Sequence, residues 1–491
     1  MNSVNRGAFG GISSLERGGQ EVPGSICGLR QKREAIYTFI MEKVSMMNTF
    51  SMIKVCTFVG MKRSLYQKLL IWKKSTRRKP LLLQGARQVG KTWLMQRFGQ
   101  TEYEQFVYFN LEQQADARSL FLGDLSPDKL LHNMSLLLGQ KIDAQRALIC
   151  LDEIQVVPEA ITSLKYFQEQ APEVHLMAAG SLLGVQVGKT SSFPVGKVNF
   201  MTLYPLSFPE FLDAMGEELL VEEIAEPQRK DAYPEAIHQK LTELFKLFLY
   251  LGGMPEIVED YLRHEDIAAV RQLQLDILEA YTRDFSKYSA PNQAMRIREI
   301  WQSIPYQLAQ ENKKFKYKDV REKARASQYE QSITWLSSAG LIHPAYALRT
   351  PKFPLSGYAD YSKFKLYLLD TGLLGAMLNL TSDLVVQPNT LFTEYNGAFI
   401  ENYVANELRK AGQQDLFYWT SRGTAEVDFI LQREQDIVPL EVKSGSSRNT
   451  KSLRSYAEKY NPPHLYRTSP RNFTTTDDFT NVPLYALGAV L

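Results

Sequence analysis

The run Gly85-Ala86-Arg87-Gln88-Val89-Gly90-Lys91-Thr92 fits the spacing G-x-x-x-x-G-K-[ST] and stands between the apolar run Leu81-Leu82-Leu83 and the helical stretch TWLMQRFG. A loop that wraps phosphate oxygens in its own N–H groups needs glycine where a Cβ would block the approach, which is what Gly85 and Gly90 supply. The N-terminus of the following helix adds a favourable dipole for an anion. Lys91 then provides a cation for terminal phosphates, and the Thr92 hydroxyl a ligand for a Mg²⁺ ion already bound to them. A fortuitous Gly-Lys-Thr turn would lack the strand before and the helix after. The expected ligand of Gly85, Ala86, Arg87, Gln88, Val89, Gly90, Lys91 and Thr92 is therefore ATP with Mg²⁺.

A second apolar run, Ala147-Leu148-Ile149-Cys150-Leu151, ends in Asp152-Glu153. Uninterrupted apolar character suits a central parallel strand, and ligands of open α/β sheets bind at the C-terminal strand edge. Asp152 is thus expected at the Mg²⁺ and Glu153 as the group that orients or deprotonates an attacking water. A third run, Val174 to Ala179, ends in Gly180-Ser181. Ser181 is a candidate γ-phosphate sensor, with a helix N-cap as the competing role. The stretch Gly184–Thr190 imitates the first loop but is one residue short, and no strand leads into it. Arg87 and Arg283 could stabilise charge on a transferring phosphoryl group, although a salt-bridged or solvated arginine is the commoner case.

A further constellation lies near the C-terminus. Glu426-Val427-Asp428-Phe429-Ile430-Leu431, the polar turn QREQD and Val438-Pro439-Leu440-Glu441-Val442-Lys443 read as a hairpin. A turn centred between Glu434 and Gln435 sets Asp428 opposite Glu441, with Lys443 on the face of Glu441. Opposed carboxylates repel, and a hard divalent cation between them would relieve the conflict. Glu401, in AFIENYVANELRKAG, falls on the apolar stripe of its helix and wants a partner: a metal, Tyr418 or Arg422. Glu401, Asp428 and Glu441 are the expected metal ligands, with Lys443 beside them. A surface hairpin of alternating charges is the other reading.

The elements needed to position these groups follow along the chain. At 491 residues, several domains are expected. The apolar fraction of 44% gives material for their cores, and a formal charge of +3 argues neither for nor against nucleic acid. Residues 1–60 show no sustained period and are expected as a poorly ordered extension. Residues 61–205 alternate strand-like and helical runs, an α/β parallel-sheet domain. Residues 206–290 read as a helical lid or spacer, and residues 291–380 as helices followed by a hairpin, the order of a winged helix. A connector, SDLVVQPNT, leads to residues 391–491, expected as a separate small α/β unit. Three cysteines, Cys27, Cys56 and Cys150, suit neither a disulfide framework nor zinc. No apolar run follows a charged start as a secretory signal requires. Glu42, Lys43 and Lys54 interrupt the hydrophobic stretch Ile36–Met61. A cytoplasmic protein with no membrane span is expected.

Together LLLQGARQVGKTWL, ICLDEIQ, AAGSLLG, FPVGKVNFMTLYPLSFPEF, LYLGGMPE and VDFIL…PLEVKSG resemble bacterial and archaeal ATP-binding proteins. That family joins an AAA-type P-loop domain to a C-terminal domain of unknown function numbered 4143. The resemblance runs from about Met61 to the end. Residues 1–60 lie outside it, so it implies a dispensable extension or a start assigned too far upstream. It also implies a restriction-endonuclease-like C-terminal fold of the PD-(D/E)XK type, whose motif Glu401, Asp428, Glu441 and Lys443 match, with Val427 in place of the leading proline. Many such domains bind nucleic acid or proteins without cutting. The implied activity is a Mg²⁺-dependent ATPase coupled to a nuclease-like domain that meets DNA or RNA. The alternative is a nucleotide-switched regulator that recruits a protein partner or nucleic acid, and the oligomeric state stays open.

Overall fold

A computed structural model describes residues 61–181, 193–225, 231–310, 312–380, 396–421, 425–445, 450–476 and 478–490. The N-terminal extension, the loop-like stretch Gly184–Thr190, the connector SDLVVQPNT and Arg422 lie outside them.

The N-terminal part of the described chain is built on five parallel strands. Helix α1 (Leu65–Lys74) precedes β1 (Leu81–Gln84), α2 (Lys91–Glu102), β2 (Gln105–Asn110), α3 (Ala115–Ser119), α4 (Pro127–Leu138), β3 (Ala147–Asp152), α5 (Pro158–Gln170), β4 (His175–Ala179) and β5 (Asn199–Thr202). Their order across the sheet is β2-β3-β4-β1-β5. β3 is buried along its full length, as its unbroken apolar run requires. β5 is an edge strand, half-exposed and carrying Asn and Thr, so no apolar run announces it. Because β4 lies between β1 and β3, its C-terminal tip stands between the phosphate-type loop and the acidic pair.

Helices follow: α6 (Phe208–Ala214), α7 (Glu218–Ile224), α8 (Glu235–Leu251), α9 (Pro255–His264) and α10 (Ile267–Tyr288). α6 starts on a reciprocal cap, in which Ser207 accepts from the Glu210 N–H and Glu210 accepts from the Ser207 N–H. α9 opens with Pro255 in its first turn, and Asp266 caps α10. Next come α11 (Pro291–Ala309), α12 (Tyr317–Val320), α13 (Ala326–Ser338), the antiparallel pair β6 (Ile342–Leu348) and β7 (Ala359–Leu368), and α14 (Thr371–Met377).

The C-terminal elements are α15 (Asn396–Lys410), β8 (Leu416–Thr420), β9 (Glu426–Val427), β10 (Phe429–Arg433), β11 (Asp436–Val442), α16 (Lys451–Tyr460), β12 (Tyr466–Ser469), β13 (Thr474–Thr475) and β14 (Thr480–Pro483). Five of these strands form a mixed sheet, β10-β11-β12-β14-β13. β8 and β9 go elsewhere. β8 pairs in parallel with β6, giving a second sheet β7-β6-β8-β9. The segment 391–491 is therefore not the separate unit its sequence suggested, since its first two strands complete the sheet of residues 342–368. Parallel pairing of distant strands leaves no local pattern to read. Among the described residues, no helix is long and apolar enough to cross a membrane.

Candidate nucleotide site and the C-terminal carboxylates

Between β1 and α2 the chain makes a tight loop. Gly85 has φ +145°, and a Cβ there would fall 2.2 Å from the Leu203 carbonyl oxygen. Gly90, at φ +90°, opens α2 in the left-handed region. Gln88 also adopts positive φ, +62°, a conformation that costs a non-glycine residue about 1 kcal/mol or more. Two supports hold this shape. Val89 is fully buried, and its carbonyl accepts a 2.8 Å hydrogen bond from Arg63, which also donates to Tyr204 O. From the other side, Tyr281 of α10 donates to the Arg87 carbonyl at 2.8 Å, while the Arg87 guanidinium pairs with Asp284 at 2.6 Å. Arg283, by contrast, pairs with Glu279 on the exposed face of its own helix. Both arginines are thus engaged in ion pairs.

Inside the loop, the Lys91 ammonium donates to the carbonyls of Gly85 (2.9 Å) and Ala86 (2.7 Å) and is only 7% exposed. Burial lowers its pKa to about 8, against the opposing pull of the Glu153 and Asp152 charges. Thr92 Oγ1 donates to Asp152 Oδ2 at 2.6 Å, and Tyr108 of β2 donates to the same oxygen at 2.8 Å. Burial, then the Asp152 charge, push the Tyr108 phenol well above its usual range. Asp152 Oδ1 accepts from the Glu153 N–H. Glu153 itself sits at φ +52°, its carboxylate held by Gln155. Ser181 is 4% exposed, and its hydroxyl has no hydrogen-bond partner among the described residues. It lines a small void with Arg87, Tyr281, Asp284 and Trp335.

The structure therefore brings Lys91, Thr92, Asp152 and Glu153 together, with Ser181 beside the loop. Adjacent hydroxyl and carboxylate oxygens at Thr92 and Asp152 are the hard donors that Mg²⁺ takes from a protein when phosphates and water complete its shell. The residues fit the ion. Arg63, Tyr108, Tyr281 and Asp284 escaped the sequence reading, because each reaches the site from a different element. Tyr108 stands on β2 two residues before Asn110, which pairs with Asp152.

The C-terminal set is arranged differently. β10 and β11 pair in the expected register, from Phe429↔Leu440 to Arg433↔Asp436, and the ladder ends one residue short of Asp428 and Glu441. The expected ligand triad is nevertheless not assembled: among the described residues no three His, Cys, Asp or Glu side chains could hold one metal ion. Lysines stand there instead. Lys365 of β7, 1% exposed, lies 2.7 Å from Glu426, 3.3 Å from Glu401 and 4.0 Å from Asp428. Lys313 makes a short contact with the other Glu401 oxygen. Tyr367, not Tyr418, donates to Glu401, at 3.1 Å. Glu441 pairs with Lys443 at 2.9 Å, and its second oxygen is buried without a partner among the described residues. Burial alone would raise the Glu401 pKa, but the Lys313 and Lys365 charges hold it down to about 2. Asp428 moves the other way, to about 7, through burial and the Glu401 charge. The Lys365 ammonium would be depressed by burial, yet Glu401, Tyr367, Glu426 and Asp428 carry it above the ordinary lysine range. Its one sequence signal is a charge in an otherwise apolar stretch, Phe364 to Leu369.

Comparison with known proteins adds three domain matches. Residues 77–212 match the AAA domain, residues 242–384 a domain of unknown function (DUF8612), and residues 396–487 a domain of unknown function (DUF4143). No curated protein matches the chain. Among solved structures, it is similar to the Walker-type ATPase PABY2304 of Pyrococcus abyssi, with 14% identity over 65% of this chain and 96% of that one, TM-score 0.42. The Aeropyrum pernix ORC1 protein in complex with DNA gives 15% identity, 66% and 95% coverage and TM-score 0.29. The Thermotoga maritima RuvB Holliday junction branch migration motor gives 11%, 58% and 89%, and TM-score 0.26. Residues 77–212 thus match an AAA domain and residues 396–487 a DUF4143 domain.

Proposed function

We propose that this chain is a Mg²⁺-dependent ATP hydrolase whose nucleotide state is relayed through α10 to residues 291–491. One observation carries the reading: the Thr92 hydroxyl and the Asp152 carboxylate meet at 2.6 Å beside Lys91, at the mouth of a glycine-lined loop. In this reading the loop N–H groups of Gly85 to Gly90 and the start of α2 cradle the phosphates. Lys91 exchanges its carbonyl partners for phosphate oxygens. Thr92 and Asp152 hold Mg²⁺, which when bound neutralises charge developing on the phosphate oxygens. Glu153 leaves Gln155 to orient and deprotonate water, and the Ser181 hydroxyl, without a partner among the described residues, turns to the γ-phosphate. The full-length chain should release phosphate from ATP only with Mg²⁺, and Glu153→Gln should slow turnover by about 10²-fold or more. Equal turnover by Lys91→Ala and the parent would overturn the assignment.

For residues 291–380 we adopt the winged-helix-like reading, and for residues 396–487 recruitment of nucleic acid or a protein partner without cleavage. The lysine-neutralised carboxylates favour binding over cutting. Capture of DNA, RNA or protein should differ between the ATP and ADP states, and a steep salt dependence would mark phosphate contacts. Identical capture in both states would remove the switch.

A further inference from the structure

The carboxylates matched to the PD-(D/E)XK motif do not have the surroundings of a metal centre, and what replaces the metal is visible. We propose that the Lys365 ammonium is the resident cation of the Glu401–Glu426–Asp428 set, making it a metal-free ionic joint between the β6–β7 hairpin and the DUF4143 domain. The inference is independent of the nucleotide site.

Three carboxylates from α15, β9 and the β9–β10 junction converge on one buried ammonium, at 3.3, 2.7 and 4.0 Å. Lys313 takes the second oxygen of Glu401, and Lys314 stands 3.9 Å from the second oxygen of Glu426. Three ammonium groups face three carboxyl groups. A divalent ion entering here would displace Lys365 or leave excess positive charge in a desolvated site, and neither is favourable. The ring of Tyr418 closes the ammonium from another side, its centroid 5.1 Å away. Of the remaining motif groups, Lys443 pairs with one oxygen of Glu441, whose second oxygen has no partner among the described residues, and the Val442 N–H donates to Asp428 Oδ2 at 2.8 Å.

The placement explains what such a joint is for. Asp428 is the single residue between β9, in the sheet with β6 and β7, and β10, in the five-stranded sheet. Lys365 reaches it from β7. One cation therefore ties the helix α15, the hairpin and the point where the chain passes from one sheet to the other. A buried ion pair contributes little relative to an apolar replacement, but removing one partner is severely destabilising, which suits a joint that admits only one arrangement.

The test uses the full-length chain without nucleotide. Mn²⁺ titrations followed by calorimetry should be the same for the parent and for Asp428→Asn, and neither Mn²⁺ nor Mg²⁺ should support cutting of DNA or RNA that depends on Asp428. Lys365→Ala should lower the thermal midpoint by several degrees, and Mn²⁺ should recover part of the loss in Lys365→Ala but not in Lys365→Ala/Asp428→Asn. A stoichiometric Mn²⁺ site in the parent that Asp428→Asn abolishes would overturn the proposal, as would an unchanged midpoint in Lys365→Ala or no metal-dependent recovery. Should Lys365→Ala fail to fold, the parent and Asp428→Asn titrations decide alone.

Discussion

Arg87 in the nucleotide loop and Asp284 in α10 are joined by an ion pair of 2.6 Å, although they stand far apart in sequence. With Tyr281 holding the Arg87 carbonyl three residues earlier on the same helix, α10 grips both the backbone and the side chain of the loop. Burial raises the Asp284 pKa and the Arg87 charge opposes that rise, so the pair is only partly screened by water. Tyr281→Phe and Asp284→Asn should each weaken ATP binding up to about tenfold, the equivalent of one partly buried hydrogen bond. Because both act on Arg87, the double variant should lose less than the product of the two. Strictly independent effects in a titration with a fluorescent ATP analogue would refute the shared grip.

Lys91 gives a pH dependence with a definite sign. Its pKa of about 8 means that the ammonium needed for phosphate is intact below that pH and increasingly neutral above it. ATP affinity should be flat below pH 8 and weaken above it, toward a limit of about tenfold per pH unit. Lys91→Arg, always charged, should show no such inflection. A flat profile for the parent up to pH 10 would exclude a protonation step at Lys91.

Ser181 separates a ligand-directed role from a structural one. Its buried hydroxyl has no described partner, so Ser181→Ala should leave the thermal midpoint unchanged or slightly raised. Turnover should nevertheless fall by about 10²-fold, the typical cost of losing one donor to a developing charge. A clear loss of stability together with unchanged turnover would make Ser181 a packing residue.

Asp428 governs stability in a different pH window. Its folded pKa of about 7 lies above the ordinary carboxylate value of about 4. Between those values the folded chain keeps a proton that the unfolded chain has released. The contribution is complete below pH 4 and is lost as pH rises toward 7. Asp428→Asn should flatten the midpoint curve over pH 4 to 7 and raise it at the alkaline end. Glu401, lowered to about 2, acts only below that window. Thermal scans in which Asp428→Asn keeps the parental slope would contradict this.

Local sequence revealed groups that act through neighbouring residues. The loop at residues 85–92, the strand ending in Asp152 and the register of the β10–β11 hairpin could all be read, because glycine placement, apolar runs and strand alternation operate over a few residues. The second supports could not. Arg63, Asp284 and Lys365 are ordinary charges on ordinary segments until the chain folds, and their partners lie on other elements. The same blindness explains the metal triad expected at Glu401, Asp428 and Glu441: opposed carboxylates call for a cation, and nothing in the hairpin indicated that a lysine from β7 would be it. β5 was missed for the converse reason, since an edge strand with one wet face has no unbroken apolar run.

The parallel pairing of Leu416–Thr420 with Ile342–Leu348 has a consequence for how such chains can be rearranged. Two sequence families meet here, but their shared sheet crosses the border between them. Genetic exchange at that border would hand each recipient a raw β-edge, an invitation to self-association. Residues 342–368 and 416–427 are thus expected to be inherited as a pair, whatever nucleotide domain is placed ahead of them.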